Sequence, residues 1–437
     1  RFGKTSMALR FLVEEELVSP PKGESERVSA LILAYTNRAV DEICAMLTDA
    51  GIDYIRQGNE TSCDPRFTDH LLDQLMGTSP RMDEVRQRII DTRVVVSTTA
   101  TMLSRPFLFQ LKHFSLCIID EASQILDPNV IGILASPQID RFILIGDHKQ
   151  LPAVIQQPDD DPRLSSCRLS LFERLLRIER EAGRTAFTAI LKRQGRMHPD
   201  IAAFPNEMFY AQEQLQPVPC PHQEESQLDY PLPSNDELDD LLKQHRVIFF
   251  PSSKAPSLKQ RLRVGEHSSG MRLRGMRLRG MRAAGEASLS DKVNSEEAHL
   301  VADLLKRIWR QYGEHFDIHR TVGVIVPYRN QIAMIRHEIE LLGIPALLDI
   351  SIDTVERYQG SQRDVIIYSL TIQHPYQLDF LTANCFEENG KVIDRKLNVA
   401  MTRARKQLLM TGNVEILSAN PLFAELIRRY HKDSLSH

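Results

Sequence analysis

Residues 117–124 read Cys-Ile-Ile-Asp-Glu-Ala-Ser-Gln, an apolar run that ends in two carboxylates. Continuous apolar runs of this kind are typical of buried strands in parallel sheets. Ligands bind such sheets at the carboxyl ends of the strands, which is where Asp120 and Glu121 would lie. The pair predicts phosphoryl-transfer chemistry, in which Asp120 holds magnesium and Glu121 orients and deprotonates the attacking water. The alternative is that the two residues only cap a helix that follows the strand.

A lysine-containing motif near the start of the chain strengthens this interpretation. Gly3-Lys4-Thr5-Ser6 overlaps a helical pattern at 5–18 and matches the end of the phosphate-binding loop G-x-x-x-x-G-K-[ST]. In that loop backbone N–H groups hold phosphate, Lys4 would reach the β- and γ-phosphates, and the Thr5 hydroxyl would bind magnesium. The first glycine of the motif would precede residue 1. We therefore expect a fragment that lacks the start of this loop and the strand before it.

A third motif, Gly146-Asp147-His148-Lys149-Gln150, directly follows the apolar run at 141–145. The glycine permits a tight turn. An amide such as that of Gln150 can contact the γ-phosphate or the attacking water, and so couple the site to hydrolysis. For this motif taken alone, a plain Gly-Asp turn is the simpler explanation.

Strand-like and helical patterns alternate along the chain, which predicts an α/β fold with parallel sheets. The apolar runs that predict strands lie at 28–36, 93–98, 115–119, 141–145, 246–250, 321–326, 364–370 and 407–411. They fall into two series, which predict two domains. We expect domains at 1–156 and 187–437, a connecting segment at 157–186, and insertions at about 56–92, 211–240 and 255–292.

Composition excludes several protein classes. The 437 residues are 42% hydrophobic and 26% charged, as in ordinary globular proteins, so wholesale disorder is excluded. No apolar stretch approaches the roughly 18 residues of a membrane-spanning helix, and the first residues do not form a secretory signal. The scattered cysteines argue against a disulfide framework or a zinc site. We expect a cytoplasmic protein, in a bacterial-type cytosol or nucleoid, with the nucleus as the alternative.

The charge of the chain is nearly balanced, with 54 basic and 58 acidic residues. This balance argues against a uniformly basic nucleic-acid-coating protein but not against a local basic groove. Residues 261–282 carry seven Arg and one Glu and include the repeated sequence MRLRG. Such a segment could contact phosphates, although a solvated insertion that grew by repeat expansion is the simpler interpretation.

The three motifs, in this order, resemble those of the up-frameshift-like group of superfamily 1 helicases, which includes senataxin and the replication nuclease-helicases. Four later segments resemble further motifs of that group: residues 191–199 with Phe204, Phe209 and Tyr210, residues 326–331, residues 353–360, and residues 398–405. The resemblance extends from residue 3 to about 413. Order, spacing and sequence together make it specific.

The resemblance implies two RecA-like domains that sandwich ATP and Mg²⁺. Arg196 and Arg403 would act as arginine fingers on the γ-phosphate, so that hydrolysis is coupled to domain motion. The resemblance also assigns nucleotide contacts to Gly360, Gln362 and Arg405.

Single-stranded DNA or RNA would cross the tops of both domains, with movement 5′ to 3′ by analogy with the family. The implied contacts are Thr36, Asn37, Thr98 and Thr99 in the first domain and Pro327, Tyr328 and Thr354 in the second. Hydroxyls, amides and backbone N–H groups suit phosphate contacts without sequence readout. For any one of these residues, a polar end to a strand is the better explanation, and only the set predicts a binding surface.

Two departures from the family pattern leave a second hypothesis open. Gly195 occupies a position where the family usually has an aromatic residue that packs on adenine, and Gln362 replaces a frequent Glu. With the incomplete phosphate loop, these departures are consistent with a catalytically weakened nucleic-acid-binding scaffold. The enzyme is favoured because a scaffold has no chemical need for all six of Lys4, Asp120, Glu121, Gln150, Arg196 and Arg403.

Overall fold

A computed structural model describes residues 8–18, 28–76, 81–153, 169–252 and 291–431. The chain divides into two compact units, Arg1–Gly195 (unit 1) and Arg196–His437 (unit 2). The lysine-containing motif at 3–6 and the arginine-rich segment at 261–282 lie outside the described residues.

Unit 1 is built on a five-stranded parallel sheet. Its strands are β1 (Ala30–Ala34), β2 (Tyr54–Gln57), β3 (Val94–Thr98), β4 (Leu116–Ile119) and β5 (Phe142–Leu144). They are ordered β2-β3-β1-β4-β5, and every neighbouring pair is parallel. The carboxyl ends of all five strands therefore share one edge, to which β4 delivers its two carboxylates.

Helices cover both faces of this sheet. They are α1 (Arg10–Val18), α2 (Asn37–Asp49), α3 (Leu72–Leu75), α4 (Met82–Asp91), α5 (Thr99–Ser104), α6 (Phe107–Leu111), α7 (Ile131–Leu134) and α8 (Leu171–Glu181). Alternate strand residues enter different cores: Ile32 and Ile118 pack with α1 and α2, whereas Leu31 and Ile119 pack with α5, α6 and α7. Burial on both faces explains why β1 and β4 are continuous apolar runs in the sequence.

Unit 2 contains a second five-stranded parallel sheet. Its strands are β6 (Val247–Pro251), β7 (Val322–Val326), β8 (Ser351–Thr354), β9 (Arg363–Ser369) and β12 (Ala404–Gly412), and a separate antiparallel hairpin is formed by β10 (Cys385–Glu388) and β11 (Lys391–Asp394). The large sheet is ordered β8-β7-β9-β12-β6, with every neighbouring pair parallel. Its carboxyl edge is formed by the residues that follow these five strands.

The helices of unit 2 are α9 (Pro199–Met208), α10 (Pro221–Glu224), α11 (Glu237–Gln244), α12 (Ser295–Tyr312), α13 (Arg329–Leu342), α14 (Pro345–Leu348), α15 (Val355–Tyr358), α16 (Gln377–Leu381), α17 (Arg395–Met401), α18 (Val414–Leu417) and α19 (Pro421–Tyr430). The long helix α12 begins at a cap in which the Asn294 side chain accepts from two backbone N–H groups. Its buried face packs on the sheet with α13, and Trp309 lies partly buried against the same core.

The predicted α/β fold with parallel sheets is confirmed. Strands β2 and β8 were not predicted, because their sequences, Tyr-Ile-Arg-Gln and Ser-Ile-Asp-Thr, lack a continuous apolar run. Residues 211–240 differ from the predicted surface loop: they include α10, the start of α11 and the buried ring of Tyr230. The Tyr230 hydroxyl donates to Gln407 Oε1 at 2.6 Å, so hydrogen bonding offsets the burial of a polar group that composition alone places at the surface. No helix within the described ranges is long and apolar enough to cross a membrane.

Candidate functional site

Asp120 and Glu121 follow β4 at the carboxyl edge of unit 1, as predicted from the sequence. Asp120 is 1% exposed, and its Oδ1 accepts from the backbone N–H of Glu121 at 2.9 Å. Glu121 has a left-handed backbone, with φ 52° and ψ 36°, which costs a non-glycine residue about 1 kcal/mol. Although Glu121 precedes the short helix at 122–124, its side chain makes no capping hydrogen bond. Glu121 therefore does not act as a helix cap, which was the alternative explanation for this residue.

The loop after β5 is fastened to the carboxylate loop by three hydrogen bonds. The Ile145 N–H donates to Ile119 O at 2.9 Å, and Ala122 N–H donates to Ile145 O at 2.8 Å. The Asp147 N–H donates to Ser123 Oγ at 3.2 Å. A Cβ atom at Gly146 would lie 2.9 Å from the Ser123 nitrogen, so this approach requires glycine. The second and third sequence motifs thus form one hydrogen-bonded pair of loops.

Asp147, for which the sequence predicted no role, holds the Gln150 side chain in this pair of loops. Gln150 Nε2 donates to Asp147 Oδ2 at 2.9 Å, while Asp147 Oδ1 accepts from the Lys149 N–H at 3.0 Å. Asp147 thus orients the amide that was predicted to contact phosphate or water. The available signal was the Asp position itself, since Asp side chains often bond to backbone N–H groups two residues later in a turn.

The predicted phosphate and magnesium residues are only partly described. Gly3, Lys4, Thr5 and Ser6 lie outside the described residues, so only Asp120 of the predicted magnesium pair has a position. A carboxylate at the carboxyl end of a parallel strand is a hard oxygen ligand of the kind Mg²⁺ requires. The donor present in unit 1 therefore fits a bound Mg²⁺–nucleotide.

Unit 2 brings three of its predicted nucleotide-site residues together. The Arg196 side chain donates from Nε to Gln362 Oε1 and from Nη1 to Thr402 O, both at 3.2 Å. Arg403 is 2% exposed and donates to Val399 O at 3.0 Å. Arg196 and Arg403 thus converge on the turn at Thr402.

Arg405 and Gly360 belong to the same region of unit 2. Arg405 Nη1 donates to Asp364 Oδ1 at 2.5 Å, and Nη2 lies 3.4 Å from His222 Nδ1. Gly360 has φ +81° and precedes Gln362 by two residues, so a left-handed turn sets the path of the loop that carries Gln362. No local sequence signal points to Asp364 or His222, because their contacts with Arg405 span 41 and 183 residues of sequence.

The predicted nucleic-acid contacts of unit 1 lie on adjacent loops, since Ala34 of β1 pairs with Thr98 of β3. Thr36 and Asn37 are exposed, whereas Thr98 is 7% and Thr99 is 1% exposed. The Thr36 and Thr98 hydroxyls accept from backbone N–H groups and cap α2 and α5. Both threonines therefore have a structural role as helix caps. The surface that nucleic acid could reach is formed by Thr36 and Asn37.

The predicted contacts of unit 2 also meet at one edge. Thr354 pairs with Val326, so Pro327 follows directly beside it. The Tyr328 ring stacks on Phe380, with ring centroids 5.1 Å apart and an interplanar angle of 19°. Tyr328 is only 9% exposed, so the surface it contributes is small.

A buried glutamate without a recognisable sequence signal lies at this edge of the sheet. Glu297, on the first turn of α12, is fully buried and accepts from the Ser369 hydroxyl at 2.6 Å and from the Thr371 N–H at 2.9 Å. It also accepts from the Ser252 hydroxyl at 2.9 Å. Burial raises the pKa of Glu297 to about 7. The residue ties α12 to the segments that follow β6 and β9.

Comparison with known proteins gives a consistent result. Two family profiles, each described as an AAA domain, match residues 77–158 and 167–415. The DNA replication ATP-dependent helicase/nuclease DNA2 of Xenopus laevis is 29% identical over 91% of this chain and 34% of its own length. The helicase/nuclease JHS1 of Arabidopsis thaliana is 26% identical over 93% of this chain and 26% of its own length.

A third relative is the DNA polymerase alpha-associated DNA helicase A of Saccharomyces cerevisiae, 30% identical over 76% of this chain and 44% of its own length. The chain thus spans between about a quarter and under half of the length of these relatives. They come from a frog, a plant and a yeast, and they lend no support to the predicted bacterial cytosol or nucleoid. A solved arterivirus nonstructural protein 10 helicase in complex with DNA overlaps 95% of this chain and 60% of its own, with 14% identity and a TM-score of 0.42, too low to support an argument.

Proposed function

Because the chain belongs to the superfamily 1 helicases of the up-frameshift-like and replication nuclease-helicase group, we propose that it hydrolyses ATP to translocate along single-stranded nucleic acid. The observation that carries this proposal is the fastening of the Asp120–Glu121 loop to the Gln150 loop at one sheet edge. Both sets of side chains are held where ligands bind parallel sheets. The left-handed backbone of Glu121 adds support, because backbone strain of this kind often persists at functional sites.

The residues of unit 1 have separate tasks in this proposal. Bound ATP with Mg²⁺ supplies the phosphoryl group and part of the positive charge that stabilises its transfer. Asp120 holds the ion, and Glu121 orients the attacking water and accepts its proton. Gln150, oriented by Asp147, contacts the water or the γ-phosphate. Lys4 and Thr5 contribute the remaining phosphate and magnesium contacts that the sequence predicts.

The arginines of unit 2 supply charge in the transition state. Arg196 and Arg403 stabilise the negative charge that spreads over the γ-phosphate oxygens, as arginine fingers do. In the described structure Arg403 donates from Nε to Val399 O and from Nη2 to the Thr402 hydroxyl, and these two bonds orient its guanidinium. Gly360, Gln362 and Arg405 complete the proposed nucleotide contacts.

We propose DNA as the substrate to test first and 5′ to 3′ as the direction of movement. The names of the three relatives all specify DNA helicases, which supports DNA over RNA. The exposed groups at the two sheet edges, such as Thr36, Asn37 and Thr354, suit phosphate contacts that do not depend on base sequence. We therefore expect little sequence preference.

The test is strand displacement by the full-length protein on matched partial duplexes. DNA and RNA substrates carry either a 5′ or a 3′ single-stranded tail of the same length, and ATP turnover is measured in parallel. We expect ATP turnover that depends on single-stranded DNA and displacement only from the 5′-tailed DNA. Nucleic-acid binding without any stimulated turnover would favour the scaffold. Displacement from the 3′ tail would reverse the assigned direction.

A further inference from the structure

The short helix α10 places a histidine against the arginine cluster of unit 2. His222 and Gln223, on this helix, are 7% and 5% exposed. Gln223 Nε2 donates to Met197 O at 2.8 Å, which anchors the helix beside Arg196. The segment 211–240, which was predicted to be a surface loop, therefore contacts Arg196 and Arg405, both proposed to act on the nucleotide.

The contacts of His222 fix its tautomer. Its Nε2 lies 2.8 Å from the carbonyl oxygen of Arg196, which can only accept, so Nε2 carries the proton. Its Nδ1 lies 3.4 Å from Arg405 Nη2, which can only donate, so Nδ1 is the acceptor. A neutral imidazole satisfies both contacts at once, whereas a protonated ring presents an N–H group to the guanidinium.

We propose that His222 is a positioning residue that holds the Arg196 backbone and the Arg405 side chain in their active arrangement, and that only its neutral form does so. The inference rests on the proposed function, in which both arginines act on the nucleotide. Arg405 is thereby held from two sides, by the Asp364 carboxylate and by the imidazole. Protonation of His222 removes one of these contacts and sets two cations against each other.

The charged groups around His222 favour the neutral ring. The Arg405 guanidinium faces Nδ1. The Asp364 carboxylate lies on β9, and Glu225, which is also bonded to Lys406, directly follows α10. Burial lowers the pKa of His222 below its ordinary value of 6.5, and the Arg405 charge lowers it further. The hydrogen bond to Arg196 O and the two carboxylates act in the opposite direction but do not outweigh burial. The ring is therefore neutral at pH 7, and its protonation requires a lower pH than that of an ordinary histidine.

Steady-state ATP turnover of the full-length protein with saturating single-stranded DNA, followed from pH 5.5 to 8.5, tests the proposal. His222→Gln keeps an N–H donor group and a carbonyl acceptor but cannot titrate. We expect this variant to keep kcat/KM within about threefold of wild type at pH 7.5. As pH falls, its kcat/KM should decline less than that of wild type, because the contribution of His222 protonation is absent. His222→Ala should lower kcat/KM by about tenfold at pH 7.5, as for loss of one hydrogen bond to a charged group.

Gln223→Ala is the matched control, because it removes the neighbouring anchor of α10 without touching an arginine side chain. We expect it to lower thermal stability while leaving the shape of the pH profile unchanged. The proposal is overturned if His222→Gln retains the wild-type decline in acid, or if folded His222→Ala has wild-type kcat/KM.

A spectroscopic readout separates this proposal from the proposed function. The ¹⁵N chemical shifts of His222 in labelled protein report its tautomer and its titration without any turnover. We expect the Nε2–H tautomer and a pKa below 6.5, even if turnover proves absent and the helicase proposal fails. A ring protonated at neutral pH, or the opposite tautomer, contradicts the positioning role directly.

Discussion

Glu121 and Glu297 both lie at the carboxyl edge of a parallel sheet, yet their surroundings are opposite. Glu121 in unit 1 is half-buried, has a left-handed backbone and makes no capping bond. Glu297 in unit 2 is fully buried and accepts from three hydroxyl or backbone donors at 2.9 Å or less. The carboxylate of Glu297 joins the ends of β6 and β9 to helix α12 through hydrogen bonds. That of Glu121 is held in a strained turn that helix capping does not explain.

Burial and backbone conformation distinguish the two carboxylates, because Glu121 also accepts a hydrogen bond, from Gln124 Nε2 at 3.2 Å. A carboxylate whose lone pairs are occupied by the protein stabilises the fold and has little capacity left for a substrate. A carboxylate placed at a sheet edge by a costly backbone conformation points to a functional constraint. Substitution of the two glutamates should therefore affect different measurable quantities.

The largest expected effect is on turnover at Glu121. We expect Glu121→Gln to lower nucleic-acid-stimulated ATP turnover by at least several hundred-fold, because a general base that also positions water contributes about that much. The midpoint of thermal unfolding should change by less than about 2 °C, since the amide preserves shape. Glu297→Gln is the matched control and should retain turnover within about fivefold. Equal losses of ATP turnover in the two variants would show that Glu121 has no catalytic role beyond that of a structural carboxylate.

The next effect is on the pH dependence of stability at Glu297. Its pKa of about 7 in the folded state is above the ordinary value of 4.5. Between these values the folded state keeps a proton that the unfolded state releases, so this contribution is complete below pH 4.5 and is lost as pH rises through 7. The difference corresponds to on the order of 3 kcal/mol.

Chemical denaturation of wild type and Glu297→Gln across pH 4.5 to 8 measures this contribution. We expect the free-energy difference between the two proteins to move in favour of the variant as pH rises. Asp394 remains in both proteins, and burial raises its pKa to about 6, so its similar contribution cancels in the difference. A difference that is independent of pH would show that folding does not shift the pKa of Glu297.

The smallest expected effect is a gain of stability at Glu121. Glycine adopts φ 52° without steric cost, so Glu121→Gly should raise the free energy of unfolding by roughly 1 kcal/mol or less, offset in part by the greater freedom of the unfolded chain. Turnover should be lost in the same variant. Urea denaturation at pH 7.5 measures the gain, and Asn129→Gly, outside the left-handed region, serves as a destabilised reference. A marked loss of stability in Glu121→Gly would mean that the side chain supports the fold.

The sequence was sufficient to predict the strands that are apolar throughout and the motifs that follow them. Apolar runs such as 115–119 are readable because burial on both faces removes any polar alternation. It was also sufficient to place Asp120, Glu121 and Gln150 at one edge, since parallel strands align their carboxyl ends. Short strands such as β2 and β8, which carry polar residues among the apolar ones, were not readable in the same way.

The residues that escaped sequence reasoning act through contacts between distant parts of the chain. His222 meets Arg405 across 183 residues, and Glu297 meets Thr371 across 74. A local pattern contains no record of such pairings. His222 lay in a Pro- and Gln-rich stretch whose composition resembles a surface loop, and Glu297 follows Glu296 in the first turn of a helix, where acidic residues are common for electrostatic reasons.

The partly buried ring on α12 has a practical consequence for optical measurements. Trp309 is the single tryptophan of the 437-residue sequence, and it packs against the core of unit 2. Indole emission excited at its red edge therefore follows the unfolding of unit 2 and is insensitive to unit 1. Far-ultraviolet circular dichroism records the helices of both units. A step in the dichroism signal at a temperature where the indole signal is constant therefore reports the unfolding of unit 1, in one unmodified sample.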